Sequence, residues 1–367
     1  SKRMFDSSLD MSSVDAQVFE GAIVHPELYL WDSWSYQEQG TMHLYCLAIS
    51  RNKPNGEALL PAEKDNYPFH IRHFSSIDQG RRWKDEGCFQ QPGKASDGHD
   101  GRNVWSGSIC LLPSGEKLAG FTGIFEIDDQ RRYLQNISLG TSSSGHIDTL
   151  LSSPLSCPLR DREEILGLGY YLDTEDRLGS NDGEEGGPVM AWRDPFLFVD
   201  NDQRINAFWS AKTGPGAGVI AHGLIAKGDE KSSYRLETLY PPMSLPDGES
   251  FTQAELPKVY IDHTQGIYYL IVSSCNRHFE GQPDSEVDKT IRLYKSDSMR
   301  GPWQIAAGDS SAINGAEGLF GMTVLETDFP NSRLLCISPR TGSDDPAAAF
   351  TIGERFYLDL STATVIR

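Results

Sequence analysis

The segment WDSWSYQEQGTMHLYCLAIS (residues 31–50) predicts two β-strands joined by a tight polar turn. Its second half is rich in the aromatic and branched residues that favour strands, and Gln39-Gly40 supplies the turn. The same pattern of strand, turn and strand recurs in four later segments: VWSGSICLLPSGEKLAGFTGI (104–124), WRDPFLFVDNDQRINAFWSAK (192–212), LPKVYIDHTQGIYYLIVSS (256–274) and LFGMTVLETDFPNSRLLCIS (319–338). Recurrence of one such unit along the chain indicates a repeat architecture.

A second hairpin follows two of these units. FSSIDQGRRWKDEG (74–87) and YKSDSMRGPWQIAAG (294–308) share a turn with Ser and Asp and a tryptophan a few residues later. An inner and an outer hairpin make a four-stranded antiparallel sheet, and radial repetition of such sheets leaves only short edges. We therefore predict an all-β fold, one five-bladed β-propeller domain over residues 1–367, with a central funnel-shaped active site and blades opening near residues 31, 104, 192, 256 and 319. A β-sandwich with unrelated hairpins is the alternative.

Composition agrees with many short strands and excludes some partners. The 367 residues include 35 glycines and 20 prolines, which favours strands joined by turns over long helices. The net charge of −19 would repel phosphate backbones, so we expect no nucleic-acid partner. Because the sequence has no run of about 18 apolar residues, we expect no membrane span.

The sequence leaves the compartment open among secreted, periplasmic and cytoplasmic locations. Residues 1–21 lack the apolar core of a signal peptide, although processing could have removed one. The cysteines are scattered and none forms a CxxC pair, which favours free thiols in a reduced protein over disulfides or a metal site. They are Cys46, Cys88, Cys110, Cys157, Cys275 and Cys336.

Three acids lie where inner strands of the predicted propeller begin. Asp32 stands between Trp31 and Trp34, and Asp194 and Glu255 occupy similar places in two later units. Burying a charge is costly unless it is paired, so these are poor positions for simple packing. Since the innermost strands of all blades begin at one mouth of the channel, we predict that the three acids converge there. Clustered carboxylates beside aromatic rings are typical of sugar sites, and glycoside cleavage requires two carboxyl groups.

These motifs resemble those of glycoside hydrolase family 68, the levansucrases and inulosucrases, which shares a clan with the invertase family. LWDSW resembles the family's nucleophile motif, WRDPFLF its Arg-Asp-Pro motif, and QAELPKVYIDHTQGIYYLIVSS the stretch with its acid/base glutamate. VWSGS resembles a segment of the sugar pocket, and LYKSDSMRGPW also has a counterpart. The likeness runs from about residue 29 to 360. It implies a propeller that acts on β-fructofuranosides, such as sucrose or fructo-oligosaccharides, through a covalent fructosyl-enzyme with retention.

The resemblance also implies roles for individual residues. Asp32 would attack the anomeric carbon of the fructosyl unit, and Glu255 would protonate the leaving oxygen and then activate the incoming water or sugar. Asp194 would hold ring hydroxyls and stabilise the transition state. The donor pocket would be lined by Trp31, Trp105, Ser106 and Arg193.

Near the acid/base glutamate the chain departs from the family pattern. Family members commonly have an acid two residues before it and an arginine directly after it, whereas this chain has Gln253 and Leu256. A further arginine is usual beyond the next strand, and Arg277 is the nearest substitute. We expect these positions to face the leaving group and the acceptor, so we predict substrate contacts for Gln253 and Arg277. Whether sucrose is the donor, and whether hydrolysis or transfer dominates, stays open.

We expect a small-molecule sugar as the partner and no cofactor. The acidic loop DTEDRLGSNDGEEGG (173–187) offers oxygen ligands that would suit a structural calcium ion, although a solvated loop is the simpler interpretation.

Two other functions fit the same architecture. An inverting arabinofuranosidase-like hydrolase would also use two Asp and one Glu on successive blades, with its carboxyl groups about 6.5–9.5 Å apart rather than the shorter retaining distance. A non-catalytic sugar-binding propeller would bind a ligand without turnover.

Overall fold

A computed structural model confirms the predicted five-bladed β-propeller. It describes residues 16–143, 145–184, 187–188, 190–230, 233–342 and 348–367. Five antiparallel sheets each follow the chain order from the innermost strand outward. In blade 5, two short strands interrupt this order and form a small sheet of their own.

The strands of each blade are given from the innermost outward. Blade 1 comprises Leu28–Glu38, Thr41–Ser50, His70–Ser76 and Arg82–Gln90, with Val18–Glu20 added at its outer edge. Blade 2 comprises Asn103–Leu111, Lys117–Phe125, Leu134–Ser142 and Thr149–Leu150. Blade 3 comprises Arg193–Val199, Ile205–Gly214, Ala217–Lys227 and Tyr234–Leu239.

Blade 4 comprises Gln253–Asp262, Ile267–Cys275, Lys289–Ser296 and Gln304–Ile305. Blade 5 comprises Thr323–Asp328, Arg333–Ile337, Phe356–Asp359 and Thr364–Ile366. The small extra sheet pairs Pro339–Arg340 with Thr351–Ile352. The helices described are one α-helix, Arg162–Gly167, and the short 3₁₀ turns Pro61–Asn66, Gly248–Ser250, Asp284–Glu286 and Phe329–Asn331.

Five hydrophobic clusters fill the seams between neighbouring blades. Each cluster includes buried side chains of two adjacent blades: Tyr45 and Phe121 for blades 1 and 2, Ile137 and Trp209 for 2 and 3, Phe208 and Leu270 for 3 and 4, Leu293 and Leu334 for 4 and 5, and Leu335 and Leu44 for 5 and 1. Because both faces of a blade are covered, a middle strand such as Leu134–Ser142 is buried along its whole length. Removal of apolar surface from water at these seams stabilises the closed ring.

The ring is closed by hydrogen bonds between the innermost strands of blades 1 and 5. Ser33 Oγ lies 2.8 Å from Thr323 Oγ1, and Ser35 Oγ donates to the carbonyl of Val324 at 2.8 Å. These bonds join residues almost three hundred positions apart, so the first and last blades are neighbours.

Every innermost strand is interrupted by a β-bulge. The pairing register shifts between Trp31 and Ser33, between Trp105 and Ser108, and between Arg193 and Phe196. Blades 4 and 5 have the same irregularity between Glu255 and Lys258 and between Val324 and Glu326. A bulge turns side chains away from the regular alternation of a strand, and bulges often adjoin active sites. The three acids lie in or beside these bulges.

The innermost strands begin close to the predicted blade openings but not at them. They start at residues 28, 103, 193, 253 and 323, against the predicted 31, 104, 192, 256 and 319. Glu255 consequently lies inside a strand rather than before it. The two predicted outer hairpins are present as antiparallel pairs in blades 1 and 4. All six cysteines lie within the described residues and carry thiols rather than disulfides, as predicted.

Candidate active site

Asp32 is the bulged residue of the innermost strand of blade 1. Its neighbours Trp31 and Ser33 pair with consecutive residues of the next strand, so Asp32 has no partner and its half-buried side chain turns towards blade 2. There Ser106 Oγ donates a hydrogen bond of 2.5 Å to Asp32 Oδ2. A hydroxyl that donates to a carboxylate stabilises the ionised form.

Ser106 reaches Asp32 because the following residue is glycine. A Cβ at Gly107 would lie 1.8 Å from the carbonyl oxygen of Gly120, which no larger residue could accommodate. The bulge at 106–107 therefore needs glycine to bring its backbone against the neighbouring strand. Thr122 also stabilises the backbone of this bulge, because its hydroxyl donates to the Ser106 carbonyl at 2.9 Å.

The environment of Asp32 contains opposing electrostatic effects. Burial raises its pKa above the ordinary value, and the nearby Glu255 carboxylate adds to the increase. The hydrogen bond from Ser106 and the charges of Lys258 and Lys64 lower the pKa. Two lysines and one hydroxyl thus favour the ionised form of Asp32, which is the form that can act as a nucleophile.

Asp194 is held by hydrogen bonds to blades 2 and 4. Its backbone lies in the left-handed region (φ 67°), and its N–H donates to Thr122 Oγ1 at 2.9 Å. The side chain accepts a hydrogen bond of 3.1 Å from the N–H of Leu256, whose backbone is also left-handed (φ 51°). Such strained backbone in non-glycine residues is often found at functional sites.

Burial raises the pKa of Asp194 to about 8. The carboxylates of Asp32 and Glu255 act in the same direction, whereas Arg193 and the Leu256 N–H lower the pKa. The raised pKa favours the neutral form of Asp194, which weakens the mutual repulsion of the three clustered carboxyl groups.

Arg193 connects blades 2, 3 and 4 through its guanidinium group. Nη2 donates to Glu255 Oε1 at 3.0 Å and also to Gln253 Oε1. Nη1 donates to Gln135 Oε1 and to the carbonyl of Met190, both at 3.3 Å. The side chain of Arg193 is 9% exposed and that of Glu255 is 20% exposed, so the carboxyl group stays accessible while its partner is enclosed.

Each pair of the three acids interacts electrostatically. Asp32 is affected by Glu255, and Asp194 is affected by both of the others. Ser106 and Arg193 contact members of this group directly, and Gln253 accepts a hydrogen bond from Arg193. The acids predicted from three separate segments thus lie in one cluster at the start of the innermost strands.

The two predicted tryptophans differ in exposure. Trp31 is only 7% exposed, because its ring packs edge-on against Phe69 (centroids 4.8 Å apart) and Phe350 (6.3 Å). Trp105 is half-buried, with its ring 6.0 Å from that of Tyr133. Among the described residues its buried indole N–H has no hydrogen-bond partner. Trp105 is therefore the better placed of the two to offer a ring face to a ligand.

Arg277 is bound to its own loop. Its guanidinium donates to the carbonyl of Gln282 and to Asp284 Oδ1, each at 2.7 Å, while its carbonyl accepts from Thr252 Oγ1 at 2.6 Å. These contacts anchor the loop after the second strand of blade 4. The substrate contact predicted for Arg277 stays a prediction, with guanidinium donors already bound to Gln282 and Asp284.

Several residues of the site were not singled out in the sequence. Lys258, Lys64, Thr122 and Gln135 all interact with the predicted acids or with Arg193. Lys64 also lies with Nζ 5.4 Å from the centre of the Trp31 ring. Thr122 lies within the quoted unit 104–124, and Gln135 lies on the third strand of blade 2, which no quoted segment covered. Lys258 lies within a quoted motif, three residues after Glu255, but no role was predicted for it.

The acidic loop 173–187, interpreted as a solvated loop with a calcium site as the alternative, forms ion pairs in its described part. Asp173 pairs with Arg177 at 3.3 Å, and Glu184 pairs with the buried Lys212 at 2.7 Å. Glu185 and Gly186 lie outside the described residues. In the part of the chain that the structure describes, no group of three or more His, Cys, Asp or Glu side chains could hold a metal ion. No helix within the same ranges is long and apolar enough to cross a membrane.

The fold is shared with a solved inulosucrase and solved levansucrases at low sequence identity. The inulosucrase from Halalkalicoccus jeotgali, solved bound to kestose, has 18% identity and a TM-score of 0.62, with 99% of this chain and 92% of that chain covered. Bacillus subtilis levansucrase has 15% identity and a TM-score of 0.62, covering 100% and 90%. A B. megaterium levansucrase mutant has 14% identity and a TM-score of 0.61, covering 100% and 91%. No family model and no curated protein matches the sequence. At these identities the likeness establishes the propeller fold alone.

Proposed function

We propose that this protein is a retaining glycoside hydrolase or fructosyltransferase that acts on β-fructofuranosides. The observation that carries the proposal is the cluster of Asp32, Asp194 and Glu255, three carboxyl groups with different environments at the start of the innermost strands. Ser106 donates to the first, a backbone N–H to the second and a guanidinium to the third. A nucleophile and an acid/base residue can be neighbouring carboxyl groups only if their environments give them different pKa values.

In this mechanism Asp32 attacks C2 of the fructosyl unit. The bond from C2 to the leaving oxygen breaks while Glu255 transfers its proton to that oxygen, and an ester between Asp32 and the sugar forms. Glu255 then accepts a proton from water or from a sugar hydroxyl, whose oxygen attacks C2 and releases Asp32. Two displacements restore the original configuration. Asp194 hydrogen-bonds ring hydroxyls, and Arg193 holds Glu255 in position.

The solved propellers of the same fold support the choice of substrate class. The Halalkalicoccus enzyme was solved with kestose, and a levansucrase was solved complexed with sucrose. Gln253 and Leu256, which replace an acid and an arginine of the resembling family, adjoin the acid/base residue in this chain. We therefore keep sucrose as one of several candidate donors.

The test is incubation of the protein with sucrose, levan, inulin and short fructosides, with glucose and fructose measured separately. Equal release from sucrose identifies hydrolysis, and excess glucose identifies transfer. Two variants serve as controls: Asp32→Asn should abolish the release, and Glu255→Gln should reduce it strongly. The anomeric configuration of the first product, measured before mutarotation, distinguishes retention from the inverting alternative. If the wild type releases nothing from any donor, the arabinofuranosidase-like hydrolase or the sugar-binding propeller replaces the proposal.

A further inference from the structure

Lys258 is a buried lysine beside the three acids. It follows the bulge after Glu255, pairs with Ile271 in the neighbouring strand and is only 3% exposed. Its ammonium group donates to the carbonyl of Met322 at 2.8 Å and to that of Gly321 at 3.3 Å. No ion pair of the described residues includes Lys258, whereas the other fully buried lysine, Lys212, pairs with Glu184 at 2.7 Å. An ammonium group without a close carboxylate is costly to bury, so the position requires an explanation.

The carbonyls bound by Lys258 belong to a turn that lies against Asp32. Gly321 has a positive φ of 73°, and a Cβ there would lie 3.8 Å from both Cα and Oδ1 of Asp32. The N–H of Gly321 donates to Ser273 Oγ at 2.9 Å. Blade 4 therefore holds this glycine from both sides, through Ser273 at its N–H and through Lys258 at its carbonyl.

The charged groups that face Lys258 are the acids of the site. Asp32 on blade 1 and Asp194 on blade 3 both favour the charged ammonium, and the buried thiol of Cys336 on blade 5 acts in the same direction. Burial opposes them and lowers the pKa of Lys258 to about 8. In return, the charge of Lys258 lowers the pKa of Asp32.

We propose that Lys258 is a positioning residue that supplies the counter-charge for Asp32 and clasps the Gly321–Met322 turn behind it. The inference rests on the proposed function for its effect on turnover, because Asp32 is the nucleophile in that function. Lys258 itself does not touch the substrate. Its ammonium keeps the nucleophile ionised at a pH where burial would favour the neutral acid, and its hydrogen bonds keep the nucleophile's surroundings rigid.

Two substitutions separate the charge of Lys258 from its hydrogen bonds. Lys258→Gln keeps a donor and removes the charge, whereas Lys258→Arg keeps both. We expect the acidic limb of kcat/KM in Lys258→Gln to move to higher pH by about one unit, because removal of an opposite charge raises the pKa of a carboxylate. At low pH this is about a tenfold loss of kcat/KM. Lys258→Arg should keep the limb near its wild-type position.

A matched control removes the other buried ammonium. The double variant Lys212→Met/Glu184→Gln deletes that ion pair and should lower the melting temperature without moving the acidic limb. An unshifted limb in an active, folded Lys258→Gln would overturn the inference and leave the proposed function intact. If this variant does not fold, Lys258→Met takes its place.

A second readout needs no turnover. The ¹³C resonance of the Asp32 carboxyl group, assigned by its loss in Asp32→Asn, can be titrated in the wild type and in Lys258→Gln. The inference predicts a higher pKa for Asp32 in the variant, and identical titrations would refute it. An inactive wild type would contradict the proposed function alone, since the titration would still test the effect of Lys258.

Discussion

Replacement of Ser106 by alanine removes one hydrogen bond from the carboxylate of Asp32. Ser106 Oγ lies 2.5 Å from Asp32 Oδ2, and the serine is almost fully buried, so water cannot easily replace the donor. The backbone at Ser106 is held by the close packing of Gly107 and by the hydrogen bond from Thr122 to the Ser106 carbonyl. Neither contact depends on the hydroxyl that donates to Asp32. We therefore expect the backbone to stay in place and the change to act on the nucleophile.

The size of the effect follows from the type of hydrogen bond. A bond to a charged group stabilises the protein by about 1.5–3 kcal/mol. Since one pKa unit corresponds to about 1.4 kcal/mol, loss of the bond should raise the pKa of Asp32 by about one to two units. Burial has already raised this pKa, so the acidic limb of kcat/KM should move further towards neutral pH.

The assay is the pH dependence of kcat/KM on the donor that the wild type cleaves. Ser106→Ala should lose about 10- to 100-fold at pH values below the wild-type limb and much less above the shifted one. Ser35→Ala is the matched control, because Ser35 of blade 1 donates to the carbonyl of Val324 in blade 5, and no hydrogen bond of the described residues joins it to an acid. An acidic limb that stays in place in Ser106→Ala would show that this hydrogen bond does not tune the nucleophile.

Three further predictions concern the other acids and the bulge in blade 2. Glu255→Gln should reduce kcat/KM on unactivated fructosides by about 10²- to 10⁴-fold, yet retain the first step with a fructosyl fluoride, whose leaving group needs no proton. The pKa of Asp194 is raised from 3.8 to about 8, so its contribution to stability is complete below pH 3.8 and is lost as the pH rises through 8. The fall in melting temperature from pH 5 to pH 8 should therefore be larger in the wild type than in Asp194→Asn. Gly107→Ala should cost about 3 kcal/mol in urea unfolding because its Cβ overlaps the Gly120 carbonyl, whereas Gly167→Ala, with open space around it, should cost little. Equal losses in the two glycine variants would contradict the packing explanation.

The propeller could be predicted because its evidence is local and repeated. Each unit has strand formers around a polar turn, and five similar units are hard to arrange in any other closed fold. The acids could be predicted because they occupy similar places in three units. What the pattern could not show was the exact start of each strand. In blade 4 the predicted unit begins at residue 256, whereas the strand begins at Gln253 and continues through Pro257, which lies in a bulge where proline is tolerated.

Lys258 shows why the rest of the site could not be predicted. In an ordinary sheet one face meets solvent, and a lysine beside apolar residues is expected there. In a propeller the adjacent blades cover both faces, so the same lysine is buried against blade 5. Arg193 shows the same limit, because its contacts with Gln135 on blade 2 and Glu255 on blade 4 depend on how three blades meet. Such contacts between distant segments leave no mark in local sequence.

The cluster of three acids as a retaining site is tested most directly by trapping the covalent intermediate. Glu255→Gln is incubated with a β-fructofuranosyl fluoride, and the protein is then analysed by intact mass and peptide mapping. Fluoride departs without a proton, but without the base the ester should accumulate. We expect a mass increase of one anhydrofructose unit located on Asp32. An unmodified Asp32 in a protein whose wild type cleaves the same donor, or a sugar attached to another residue, would contradict the assignment.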